Sequence, residues 1–138
     1  MALQQGATDA FKTGLMNGGY NFTSGAFKMA LYTGSATLGP DTAVYTSANE
    51  VVATGYSAGG ISLPVSVVPT SSNNVTYISF SNVTWYGSIT ARGALIYQDG
   101  GSNPAVCVLD FGSDKTSITS LTVQFPTADS TNAIIRVT

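Results

Sequence analysis

Histidine is absent from the 138 residues. That removes the usual general base at neutral pH, the commonest zinc ligand and every Ser–His or Cys–His nucleophile pair. Cysteine occurs once, at Cys107, so no disulfide can close within the chain. Its setting in an apolar run predicts a buried thiol acting as a small hydrophobe. Charge is scarce: Lys, Arg, Asp and Glu make up 9%, against about a quarter in an ordinary soluble domain. The formal net charge is −2, and the five basic residues are dispersed. They offer no footprint for nucleic acid and no basic face for a membrane. No apolar run approaches the length that spans a bilayer. The opening Met1-Ala2-Leu3-Gln4-Gln5-Gly6 lacks the basic-then-apolar pattern of a secretory signal. The expectation is a chain made in the cytoplasm and left unprocessed.

What is present is polar without being charged. Ser, Thr, Asn, Gly and Gln do the solvating. A surface so weakly charged is poorly protected against self-association. Two readings stay open: a neutral soluble monomer, or a chain whose surface is occupied in an assembly. The length suits one domain with a true core, and no repeat or composition shift marks a boundary, so residues 1–138 are read as one unit.

The stretch Arg92 to Phe111 is read as the central hairpin. In the first arm Leu95 and Tyr97 share one face, Ala94 and Ile96 the other. In the second, Val106 and Val108 share one face, with Cys107, Leu109 and Phe111 opposite. Apolar residues on both faces imply a strand covered on both sides. Asp99 to Pro104 form a connection longer than a tight two-residue turn. A buried helix is the rival, but Val106-Cys107-Val108 has poor helix propensity and Gly93 sits inside the first arm.

Along the rest of the chain, residues 8–17 are predicted as one short helix, capped by Thr8 or Asp9 and ended by Asn17-Gly18-Gly19. Phe11, Leu15 and Met16 fall toward one side. So short a helix needs a surface to dock on, in this chain or in a neighbouring subunit. Residues 26–32 read as a strand with Phe27, Met29 and Leu31 inward and Lys28 outward. Residues 33–60 read as a long loop with a helical turn near 47–52. A loop of that length in a compact domain is usually functional. Residues 61–68 alternate, with Pro64 demanding an edge strand or a bulge. A polar turn over 69–74, strands at 75–80 and 83–85, and a surface turn over 112–115 follow. Leu121, Val123 and Phe125 are expected to face the core, and 133–137 to be the last strand. The sum is an all-β, antiparallel β-sandwich of about seven or eight strands with one short N-terminal helix. A partly open barrel is the nearest competitor.

The motifs that match a chemistry do so by accident. Three sequons, at Asn21, Asn74 and Asn82, are what an Asn- and Thr-rich chain produces by chance. Asp110-Phe111-Gly112 has no glycine-rich phosphate loop beside it, and Gly55 to Gly59 has no histidine to make it a nucleophile elbow. Asp99, Asp110 and Asp114 lack calcium-loop spacing. No catalysis, no cofactor and no metal are expected; an enzyme using carboxylates alone is the minor alternative. Arg92 is expected to pair with Asp110 across the hairpin. Trp85-Tyr86 is the aromatic pair that a sugar-binding groove would use, with Trp85 as a core plug the simpler reading.

The sequence resembles small structural proteins of tailed bacteriophages. The residues that carry the resemblance are Phe27 to Gly39, Tyr45 to Gly60, Ala91 to Tyr97 and Ala105 to Gly112. The resemblance implies a virion protein, and most specifically a capsid decoration, or cement, protein on the outer surface of the head. Its partner would be the major capsid protein, and a homotrimer would match the local three-fold positions of an icosahedral shell. A tail, neck or fibre component is the alternative, and an adhesion or carbohydrate-binding module the third. The residues expected to touch a partner are Phe11 and Leu15 on the helix, and Tyr45, Tyr56, Gly59 and Gly60 in the long loop.

Overall fold

The computed structural model describes residues 3–138. In chain order the elements are β1 (Gly6–Ala7), α1 (Asp9–Asn17), β2 (Phe27–Tyr32), β3 (Ile61–Ser62), β4 (Val65–Ser72), β5 (Val75–Phe80), β6 (Val83–Tyr86), β7 (Thr90–Gln98), β8 (Ala105–Thr116), β9 (Ser120–Val123) and β10 (Ile135–Val137). The architecture is sandwich-like and antiparallel: a five-stranded sheet β1-β8-β7-β2-β3, a three-stranded sheet β10-β5-β4 and a two-stranded ribbon β6-β9. The described residues hold ten strands rather than seven or eight. The excess comes from β1 and from the division of residues 61–72 between two sheets. Pro64 lies at that division: β3 edges the large sheet, β4 edges the smaller one, and Leu63 between them is buried. A residue with no N–H to donate fits where the ladder is interrupted.

The hairpin β7–β8 is the spine. Leu95 faces Val108, and Ile96 faces Cys107 across it. One β7 step, from Ile96 to Tyr97, is matched by two on β8, from Cys107 to Ala105. This bulge re-aims Val106. It packs with Cys107 in the main core, while Val108 belongs to a second cluster, so the expectation that Val106 and Val108 share a face fails there. The expected surface turn at 112–115 is an excursion inside β8. Ala91 faces Lys115 and Gly93 faces Asp110, two steps against five, and Gly112 supplies the positive φ of 83°.

Side-chain alternation splits the core in two. Phe27, Met29, Leu31, Ala94 and Ile96 face the main cluster, where Ile78, Phe80, Val83, Trp85 and Val123 of the smaller sheets meet them. Ala30, Tyr32, Leu95 and Tyr97 face the second cluster, covered by Leu3, Ala36 and Leu38. Thus β2 is buried on both faces, and Lys28, expected outside, is half-buried. In β9, Val123 is buried; Leu121, and Phe125 just beyond the strand, pack half-buried against the main cluster. The expected turn over 69–74 shrinks to Asn73-Asn74, both at positive φ. Strand β4 runs on to Ser72, its bulges taking up the slip near Pro69. The last strand starts at Ile135, and Ala133 is buried ahead of it.

Helix α1 obeys its caps. The Thr8 hydroxyl accepts the Phe11 N–H at 3.1 Å, and Gly18 ends the helix at φ 72°. Thr8 is itself fully buried, its N–H donating to the Val106 carbonyl at 3.1 Å. The docking surface is therefore this chain's own: Phe11 is buried against Tyr20 and Phe22.

Candidate partner-binding surfaces

The six residues expected at a partner surface fall into two places. Tyr45, Tyr56 and Gly59 converge on Glu50, the sole glutamate of the chain, and Gly60 lies against Met29 of β2. Strand β3 is only two residues long, so it leaves the far half of β2 unpaired, and the long loop takes that edge. The Val51 N–H donates to the Leu31 carbonyl at 3.0 Å, and Glu50 bridges Tyr32. The segment expected as a helical turn near 47–52 is instead a tight turn. The Glu50 N–H donates to the Ser47 carbonyl at 3.2 Å, with Asn49 at φ 61°. An asparagine tolerates that conformation where most side chains do not.

The pairing buries the Glu50 carboxylate and gives it three donors. Tyr45 Oη donates to Oε1 at 2.6 Å, while the Gly59 N–H, at 2.8 Å, and Tyr56 Oη both donate to Oε2. Tyr56 Oη also accepts the Leu31 N–H at 2.9 Å. Tyr97 Oη donates to the Gly59 carbonyl at 2.5 Å, and Tyr32 Oη to the Thr46 carbonyl at 2.6 Å. Burial, with the Glu50 carboxylate next, pushes the hydroxyls of Tyr32, Tyr45 and Tyr56 well above the ordinary tyrosine range. Tyr97 is pushed up to about 12 by burial, then by Asp99 and Glu50. Charge-assisted bonds of this kind are the strong ones, so the cluster locks the loop to the sheet. Gly60 completes the lock at φ 86°, where an added Cβ would lie 1.8 Å from the Met29 carbonyl oxygen. The sequence offered a weak sign of the hub: a lone glutamate with a tyrosine on either side.

Phe11 and Leu15 border the second place, a largely apolar groove of about 850 Å³. Its lining comes from residues 5–7, which include the edge strand β1, from residues 107–109 of β8, from residues 134–138, and from Lys12, Leu15 and Met16 of α1. Met16 is 90% exposed, Val137 51% and Leu15 40%. Phe11 belongs to the lining, but its 2% exposure leaves little to offer a partner. A smaller apolar hollow of about 120 Å³ shares Leu15, Ile135 and Val137. Lys12 and Arg136 are the charged side chains of the groove lining.

A second exposed apolar region lies outside the residues expected at a partner surface. Val52, Tyr86 and Ile118 are all strongly exposed, on segments that touch. The backbone at Gly55 lies against Tyr86, and the Gly87 N–H donates to the Thr119 carbonyl at 2.8 Å. Trp85 and Tyr86 point to opposite faces of β6, Trp85 buried and Tyr86 out, so they form no joint aromatic platform. The locked loop presents Val52 at this tip. Between loop and spine lies a mixed cleft of about 330 Å³, lined by Val51, Val52 and Ala53 of the loop and by Thr33, Ser88, Thr90, Arg92 and Asp114. Arg92 Nε donates to Asp110 Oδ1 at 3.3 Å, the expected cross-hairpin pair. The Gly112 N–H, then Arg92, holds the Asp110 carboxyl below the usual range.

No family model, curated protein or solved structure matches this chain.

Proposed function

We propose that this chain is a structural protein of a tailed-bacteriophage virion, a decoration (cement) protein that sits on the capsid surface and bridges neighbouring capsid subunits. It acts by binding alone, without catalysis, cofactor or metal. The observation that carries this reading is the pair of separate apolar surfaces on one stiff β frame. The groove is walled by Val108, opposite Leu95, and the tip follows Thr116, opposite Thr90. At about 3.3 Å per residue those register points are about 17 Å apart. A clamp needs such an arrangement: two contact faces held apart by a body that does not bend.

The physics of the role is linkage. Packaged DNA loads the shell outward. A clamp that binds assembled lattice more tightly than free subunits stabilises the assembled state by the difference. Few charges keep the cost of desolvating the contact low. A trimer would seat the same faces at a local three-fold position. The resemblance of residues 27–39, 45–60, 91–97 and 105–112 to small phage structural proteins supports the same reading.

The test is a count and a position. Quantified against the major capsid protein in purified virions, this chain is expected at hundreds of copies, with its density on the outer head surface. A few to a few dozen copies, with density confined to the tail or neck, overturns the decoration role in favour of the tail-component reading.

A further inference from the structure

We propose that Asn17 is a site of spontaneous covalent modification: its side chain closes onto the Gly18 backbone nitrogen, loses ammonia and opens to aspartate or isoaspartate, which sets a carboxylate at the end of α1. The inference stands on α1 alone and does not depend on the role proposed above.

The chain has eight asparagines. Hydrogen bonds hold the side chains of Asn21, Asn73, Asn82, Asn103 and Asn132. Among the described residues, Asn17, Asn49 and Asn74 have no such hold, and the residue that follows each decides between them. Asn49 precedes Glu50, which is buried and donates its N–H to the Ser47 carbonyl. Asn74 precedes Val75, a branched residue that opens β5. Asn17 precedes Gly18, the one Asn–Gly step in the sequence. Glycine sets no Cβ beside the attacking nitrogen and lets the backbone take up the geometry of the ring. Both residues are exposed, and nothing lies within 4 Å of where a Gly18 Cβ would stand.

Ring closure needs the last turn of the helix to open. In the closed turn the Gly18 N–H donates to the Gly14 carbonyl. The Gly19 N–H donates to that same carbonyl at 2.8 Å, so the carbonyl keeps a partner when Gly18 lets go. The turn is weakly held. Helix α1 has nine residues, Gly14 lies within it, and its last turn has no basic residue. Ends of this kind open at little cost.

The Gly18 nitrogen, once it has given its proton to solvent, attacks Cγ of Asn17. The new C–N bond displaces the side-chain amide nitrogen, which takes up a proton and leaves as ammonia. Water then opens the cyclic imide at one of its two carbonyls, giving aspartate or isoaspartate. One water is consumed, one ammonia is released, and nothing is oxidised or reduced. The product carries one more negative charge, at the helix end where the macrodipole disfavours it.

The test incubates the full chain at mildly alkaline pH, which promotes deprotonation of the attacking nitrogen. A blocked peptide of residues 15–20, incubated in parallel, serves as the clock. Trypsin, cutting after Lys12 and Lys28, releases residues 13–28 with Asn17 and Asn21 together, and fragment spectra separate them. Conversion with isoaspartate is expected at residue 17, at least about tenfold faster than at any other asparagine. The aged chain should melt below the fresh one. Asn17→Gln, at an exposed position, should fold as the wild type does and show no loss of melting temperature on ageing. Residue 17 still asparagine when the peptide has fully converted overturns the inference, as does equally fast conversion at another asparagine. A chain converted at residue 17 that melts as the fresh chain does overturns the effect on α1.

Discussion

Glu50 shows how far one side chain can organise an irregular segment. Its carboxylate takes three donors from residues 45, 56 and 59, all inside the loop it fastens. Glu50→Gln keeps the shape but sets an amide NH₂ against donors. A buried donor facing a donor leaves groups unsatisfied, at about 1–3 kcal/mol. Urea unfolding of Glu50→Gln should show a loss of that size, with Glu50→Ala losing at least as much. Gly14 makes the opposite kind of case. Alanine is the better helix former by about 1 kcal/mol, so a surface-helix rule predicts a gain. The Tyr20 ring, however, lies 2.2 Å from where the Cβ would stand, and Tyr20 Oη donates to the Ala105 carbonyl at 2.6 Å. Moving the ring breaks that bond and its edge contact with Phe11. Gly14→Ala should therefore lower the melting temperature.

Among the elements, the loop over 33–60 has the most distinctive dependence on conditions. It is fastened mainly by tyrosine hydroxyls, and those of Tyr32, Tyr45, Tyr56 and Tyr97 all titrate above their ordinary value. A raised acid favours the protonated form in the folded state. Its contribution is complete below the unfolded tyrosine value of about 10 and is lost as pH climbs toward the folded values. The tyrosines' contribution should be constant from neutral pH to about pH 10 and fall steeply above it, with the buried Cys107 thiol, pushed up from about 9 to about 12, adding to the loss from about pH 9. With Tyr77 and the exposed Tyr86 replaced by phenylalanine, tyrosinate absorbance should appear together with loss of structure rather than before it. Tyrosinate rising well before unfolding would show that the cluster is not what holds the loop.

For the molecule as a whole, the pairings are far apart in the chain. Gly6 meets Val108, and Phe27 meets Gln98. Such topologies fold in milliseconds to seconds, because loop closure precedes the contacts that offset it. Trp85 is the single tryptophan and is buried, so stopped-flow fluorescence reports the event directly. Refolding is expected on that slow scale. Microsecond folding would mean that the hairpin and helix form the core without the long-range sheet.

The sequence by itself determined what local pattern can carry. Period-two alternation with apolar residues on both faces announced β7 and β8. The helix was legible from Thr8, Phe11 and Gly18, and Pro64 marked an edge because a residue without an N–H cannot sit mid-sheet. The Arg92–Asp110 pair was expected across the hairpin, and it forms although the register sets Gly93, not Arg92, opposite Asp110. The tertiary structure decided the rest, because each remaining feature depends on residues distant in the chain. The bulge that turns Val106 away from Val108 exists only in the register with β7. Glu50 becomes a hub because the short β3 leaves part of β2 free for the loop. The groove lies between β1 and β10, which belong to different sheets and stand at opposite ends of the chain. Alternation fixes which way a side chain points relative to its own strand, but only packing decides what it meets there.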